Sequence, residues 1–180
     1  VVVVGRSSRH IDWDETNSSA VEVSGSPTEQ AILWWGIKIG MMKYGDVKEG
    51  NSILQVETFN SKKKRAGVLV RSKDGRLFVH WKGAAEIILS MCDKFTQRAG
   101  TGTDESTMAQ PISVEKRQEI TKAIEDMANS SLRCVAFAYC EVTGEQNREQ
   151  DETWVLPQEE LTLMAVVGMK DPCRPGVKKA

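Results

Sequence analysis

The sequence predicts a mixed α/β domain, an antiparallel sheet flanked by helices. Three observations lead to it. Residues 53–82 hold three short apolar runs, Ile53–Phe59, Ala66–Arg71 and Leu77–Lys82, separated by polar turns; strands joined by tight turns pair antiparallel. Two stretches, 26–39 and 113–129, place apolar residues at helical spacing. The late run Leu161–Met169 is almost wholly apolar, as expected of a strand at the centre of a sheet.

In chain order, residues 1–19 carry no clear periodicity beyond four valines that suit a short strand. Residues 20–170 read as the domain, beginning with the alternating Ala20–Val23. Ser26-Pro27-Thr28-Glu29 is a helix start: Ser26 caps, Pro27 suits the first helical position, and Glu29 completes a capping box. The stripe Ile32, Trp35, Gly36 and Ile39, widened by Ala31, Leu33, Trp34 and Ile37, predicts a largely buried helix, with Gly40 as its stop. Asp74-Gly75 turns the second strand into the third. Alternation sets Phe78, His80 and Lys82 on one face and Leu77, Val79 and Trp81 on the other. Gly83–Cys92 is expected to be a short helix, 97–111 a mobile polar loop, Ser113–Asn129 an amphipathic helix and Leu132–Val142 a strand. The helix stripe is Ile120, Ala123, Ile124, Met127 and Ala128. Thr143–Thr153 reads as a charged loop, and residues 171–180, opening with two prolines and a glycine, as a hinge.

Composition narrows the function. The 180 residues suffice for one cored domain. With 24 basic against 25 acidic residues there is no basic field of the kind nucleic-acid binding needs. Cys92, Cys134, Cys140 and Cys173 lack ligand spacing, and two histidines do not complete a usual zinc site with them; free thiols in a reducing compartment are expected. The nine-residue apolar run falls short of the roughly 20 residues a spanning helix needs. No signal peptide is evident, and the absence of an initiator methionine suggests a piece of something longer.

Several residues carry two readings. Phe59 is either a base-stacking platform or a core phenylalanine at a strand end. Lys62-Lys63-Lys64-Arg65 either reaches phosphates or is a solvated hairpin tip. Lys82, after a run of apolar and aromatic residues, either meets an anion or merely ends a strand. Gly83 lets a ligand approach the backbone, and a helix starting there favours negative charge. Glu29 caps its helix or accepts from an adenine amino group, roles that can coexist. Arg133 is a phosphate fork or an exposed strand-end arginine. Asp171 and Arg174 flank Pro172 as a rigid hinge or a simple charged loop. No phosphate-cradling glycine loop and no persuasive nucleophilic triad is present, so residue chemistry alone stops at an α/β domain with an anion or nucleotide site.

Five motifs in order carry more: Gly25-Ser26-Pro27-Thr28-Glu29, Phe59 with Lys64, Lys82-Gly83-Ala84-Ala85-Glu86, Ser131-Leu132-Arg133-Cys134 and Asp171-Pro172-Cys173-Arg174. Together they resemble the nucleotide-binding domain of the P-type cation-transporting ATPases. Phe59-Asn60-Ser61-Lys62-Lys63-Lys64-Arg65 and His80-Trp81-Lys82-Gly83 look like the plant autoinhibited, calmodulin-regulated calcium pumps (type IIB). The resemblance spans residues 21–179. It implies that Phe59 stacks on adenine, Glu29 contacts its amino edge, Lys82 and Gly83 line the pocket, Lys64 and Arg133 hold phosphates, and Asp171 and Arg174 belong to the hinge. It implies ATP and magnesium as cofactors, with the magnesium ligands outside these residues. Implied partners are the phosphorylation, actuator and transmembrane domains, and calmodulin. The implied place is the cytosolic side of a membrane, the plasma membrane foremost. The implied whole is an enzyme that exports calcium through an aspartyl phosphate. These 180 residues hold neither the D-K-T-G-T sequence nor the magnesium-holding aspartates, so no catalytic residue is expected here. Ser61 stands where many calcium pumps carry an arginine, leaving Lys62 or Lys63 to supply charge. A pump for another cation and a stand-alone nucleotide-binding module are the alternatives.

Overall fold

A computed structural model describes residues 2–3, 27–38, 50–99, 106–142 and 154–170. Its centre is a sheet of eight strands: β1 (Val2–Val3), β2 (Ser52–Asn60), β3 (Arg65–Arg71), β4 (Leu77–Ala84), β5 (Cys92–Ala99), β6 (Ser106–Pro111), β7 (Leu132–Val142) and β8 (Leu161–Lys170). The helices are α1 (Pro27–Lys38), α2 (Ala85–Ser90) and α3 (Val114–Asn129). Strand order is β2-β3-β4-β7-β8-β5-β6, with β1 also on β8. Every pairing is antiparallel except β5 with β8.

The alternation in β4 sorts the two faces. Val79, Trp81 and Gly83 are buried, while Phe78, His80 and Lys82 are half-buried. On the first face, Leu69, Val79, Trp81, Ala136 and Ala138 meet α2 and α3 through Ala85, Ile88, Leu89, Ile120 and Met127. The second face carries a smaller cluster, Val135, Val167 and Met169, against which Ala31 and Ile32 of α1 pack.

The three hairpin strands, β7, β8 and α3 stand where the sequence puts them. Ser113 caps α3, its hydroxyl accepting from Lys116 N at 3.1 Å, and Asp74-Gly75 makes its turn with Gly75 at φ 84°. Ala128 of the expected α3 stripe is exposed. Other expectations fail. Gly83 and Ala84 belong to β4, not to a helix, because β7 still pairs with them through Ala136 and Val135. The stretch 97–111 is not simply a loop: its described residues belong to β5 and β6, which pair with each other, β5 also pairing with β8. Helix α1 is less buried than expected, with Gly36 buried and Ala31, Ile32, Leu33 and Trp35 half-buried. Its Ala31 and Ile32 pack against the small cluster. The expected strand at 20–23, the cap Ser26, the side chains of Trp34 and Ile37, Ile39, Gly40, the loop 143–153, Asp171, Cys173 and Arg174 lie outside the described residues. No described helix is long and apolar enough to cross a membrane.

The segment Trp154–Gln158 seals the first face. Gln55 donates from Nε2 to the Trp154 carbonyl at 2.6 Å and accepts from its amide at 2.8 Å. Trp81 Nε1 donates to the Pro157 carbonyl at 2.7 Å. Cys92, Cys134 and Cys140 are free thiols. Burial pushes the Cys92 thiol up to about 12, so it stays protonated and unreactive at neutral pH.

Candidate functional site

The second face gathers most of the residues singled out from sequence, in an order that the register defines. Lys82 pairs with Ala66 on β3 and Phe137 on β7. One step along, Ala84 pairs with Val135 and donates its amide to the Lys64 carbonyl at 3.0 Å. Arg133 follows on β7, opposite Met169. Residues two apart in a strand share a face, so Lys82 and Arg133 both stand on the α1 side, with Lys64 exposed in the turn at the end of the same ribbon. Arg133 lies four residues from Phe137 on β7, about 13 Å along the strand.

Phe59 reaches this face by an irregularity. Glu57 pairs with Gly67 and Asn60 with Arg65, so Thr58 and Phe59 together oppose Ala66 alone. Simple alternation from the outward Val56 would send Phe59 to the core side. The extra residue, a β-bulge, re-aims it. Phe59 is 64% exposed and lies in the row of Ala66 and Lys82, two strand spacings or about 10 Å from the lysine.

The first turn of α1 crosses over this row. Glu29 Oε1 accepts from Lys82 Nζ at 2.5 Å, and Thr28 Oγ1 accepts from Arg133 Nη1 at 3.2 Å. The lysine and glutamate side chains are 40% and 49% exposed; such a surface pair contributes under about 1 kcal/mol. A ligand offering equivalent hydrogen bonds therefore meets little resistance from it.

The basic tip divides. Asn60 Oδ1 accepts from the amides of Lys62 and Lys63 at 2.9 and 3.0 Å, which folds the turn. Lys63 Nζ pairs with Glu57 at 3.1 Å, while Lys62 and Lys64 stay exposed. Arg65 turns to the opposite face, so the sequence reading of it as a phosphate contact is corrected. Its guanidinium lies 5.0 Å from the centre of the Trp81 ring.

Gly83 also faces the core. A Cβ there would stand 2.5 Å from the Lys64 carbonyl oxygen and 2.8 Å from Arg65 Cβ. The missing side chain makes room for the β3 backbone. The favourable helix terminus assigned to Gly83 is corrected, since α2 begins at Ala85. Thr28 was not singled out, although it shares the helix turn that puts Glu29 over β4. Gln55 and Arg65 carried no pattern that marks their tertiary partners.

His80 sits beside this row, between Phe78 and Tyr139, with ring centroids at 6.4 and 6.2 Å. Burial holds its imidazole below the ordinary histidine range. Below about pH 6.5 the unfolded chain therefore binds more protons than the folded one. Stability falls as pH drops through that window and levels off once the folded imidazole is charged. His80→Phe should flatten the drop in urea midpoint between pH 7 and pH 5; an unchanged slope would assign it to other groups.

Comparison with known proteins adds an independent line. The family model described as P-type ATPase, cytoplasmic domain N, matches residues 6–176. The chain is 46% identical over 170 residues to "Calcium-transporting ATPase 5, plasma membrane-type" of Oryza sativa subsp. japonica, a match covering 92% of this chain and 15% of that protein. It is 45% identical over 168 residues to "Calcium-transporting ATPase 10, plasma membrane-type" of Arabidopsis thaliana, with 92% and 15% covered. Against "Calcium-transporting ATPase 8, plasma membrane-type" of the same plant, identity is 46% over 160 residues, with 88% and 14% covered. The chain thus spans about 15% of the length of these relatives.

Proposed function

Since this chain belongs to the P-type ATPase cytoplasmic domain N family, we propose that it is the ATP-binding domain of a calcium pump. In that pump, ATP hydrolysis through an aspartyl phosphate drives calcium out of the cytosol. Residues 20–170 form the nucleotide-binding domain, and 171–180, with Asp171 and Arg174, lead back toward the phosphorylation domain. One observation supports this reading above the others: Phe59, Lys82 and Arg133 share a single face, with Glu29 laid across it and the exposed turn lysine Lys64 at its end.

The exposed ring of Phe59 takes the flat face of adenine. Glu29, an acceptor when ionised, takes the exocyclic amino group. Lys82 donates to the ring nitrogens and lines the pocket with its stem. Gly83 acts at one remove, by letting β3 close against β4 so that Lys82 stands in place. From this end the nucleotide runs toward Lys64 and Arg133, whose positive charges hold the phosphates. No residue of the chain transfers the phosphoryl group, and the magnesium that accompanies it is held elsewhere in the pump. The remaining partners are the phosphorylation, actuator and membrane domains, with calmodulin as regulator and the plasma membrane as location.

Calorimetric titration of the chain with ATP tests the reading. Binding should be weak, because other phosphate holders are outside the chain, and should change little among ATP, ADP and AMP. Stacking contributes about 1–3 kcal/mol per base, so Phe59→Ala should weaken binding at least fivefold. Guanine places an oxygen where adenine has its amino group, so GTP should bind more weakly, and Glu29→Gln should narrow that gap. If Phe59→Ala and Lys82→Ala both bind ATP as the parent chain does, the site is wrongly placed.

A further inference from the structure

We propose that Arg65, on the face away from the nucleotide, is a positioning residue for Phe59. This rests on Phe59 being the base platform. The face that Phe59 occupies depends on one extra residue between two ladder pairs, Glu57 with Gly67 and Asn60 with Arg65. Moving that bulge by a register step would return the ring to the core side, because strand faces alternate with period two. Something must hold the Asn60–Arg65 pair where it is.

The turn is closed by Asn60, which accepts from the amides of Lys62, Lys63 and Lys64, but none of those bonds ties it to the core. Residues 61–64 are exposed, and Lys64 adopts φ 51°, a left-handed conformation that a non-glycine residue takes only when its surroundings impose it. Arg65 supplies the fixed point. Its guanidinium stacks 5.0 Å from the centre of the Trp81 ring. Nη1 donates to Met91 Sδ at 3.1 Å, and Nη2 donates to Gln158 Oε1. Trp81 is 1% exposed and is itself tied to the Pro157 carbonyl. The platform under Arg65 is therefore as rigid as the core.

With Arg65 held inward, Ala66 must face outward. The turn closes on Asn60, whose carbonyl accepts from Lys64 N at 2.6 Å, and the surplus residue is confined to Thr58-Phe59. One arginine stacked on the core face thus sets the orientation of the aromatic on the other. A lysine would keep the charge and most of the stem, but it lacks the planar group that stacks and forks.

A double-mutant cycle on the 180-residue chain tests this. ATP affinity is measured for Arg65→Lys and Arg65→Met, each alone and with Phe59→Ala, alongside thermal melts. In the parent background either Arg65 variant should weaken ATP binding about three- to tenfold, whereas in the Phe59→Ala background the loss should be under about twofold, since coupled residues are not additive. Should Arg65→Met fail to melt cooperatively, Arg65→Lys and Gln158→Ala, which removes one anchor bond, carry the same cycle. Equal losses in both backgrounds, or unchanged affinity in a folded variant, would overturn the positioning role while the nucleotide site stands. If Phe59→Ala alone leaves ATP binding unchanged, the site reading falls and the proposal with it.

Discussion

Trp81→Ala should destabilise the domain by about 3–5 kcal/mol, the range for removing a large buried aromatic. For a chain of this size that is a fall in melting temperature of roughly 10 °C. The ring is 1% exposed, and its surroundings have little freedom to collapse. A Cβ on Gly67 would already sit 2.7 Å from the ring, so the backbone of β3 lies directly against it. The substitution also strips the Pro157 carbonyl of its donor and Arg65 of the surface it stacks on. Circular dichroism melts and urea curves on parent and variant measure the cost. A loss below about 1 kcal/mol would mean that the ring is not the keystone of the first face.

Gly83→Ala is the second large effect, and it is expected to be out of proportion to one methyl group. Overpacking costs about 1–3 kcal/mol when side chains can yield. Here the new carbon would meet a carbonyl oxygen at 2.5 Å and Arg65 Cα at 2.9 Å, both backbone, so the upper end or beyond is expected. The strain should pry β3 from β4 where Ala84 N donates to the Lys64 carbonyl. Hydrogen exchange should report this as lost protection at Ala84 ahead of the rest of the sheet. On the proposed reading ATP affinity should fall with it, since Phe59, Lys64 and Lys82 lie on the connected strands β2, β3 and β4 and their turn. An alanine variant with native stability and unchanged exchange at Ala84 would show that the backbone has slack that these distances deny.

How far the sequence foretold this structure depended on how strongly each segment expresses one period. β4 alternates cleanly, so both faces were legible in Leu77–Trp81. Helix α3 has a cap and a stripe, and its start was legible from Ser113. Strand β5, CDKFTQRA, offers polar residues at most positions and docks by backbone pairing to β8. Its pattern therefore resembled a loop. The helix start was misplaced at Gly83 because a glycine in a strand that packs against a neighbouring backbone looks like a breaker in one dimension. Among the site residues, Lys82 was visible as a charge on an apolar strand, and Glu29 as a helix-start carboxylate. The outward placement of Phe59 was not legible, because alternation assigns it to the other side and no residue type announces the bulge. The pairings of Arg133 with Thr28 and of Arg65 with Trp81 join residues distant in sequence, beyond the reach of local pattern.

The position of β8 has a further consequence for how the protein is made. It is the last of the described strands, yet it is the one that joins β7 to β5 and also carries β1. Before it is added, β2-β3-β4-β7 and β5-β6 are separate ribbons with open edges. Loop closure must be achieved before such distant pairings stabilise anything. Folding should therefore wait until Lys170 has cleared the ribosome, rather than advance strand by strand. A nascent chain stalled before Leu161 should remain protease-sensitive and leave β7 and β5, the two edges that β8 covers, open to association with other chains.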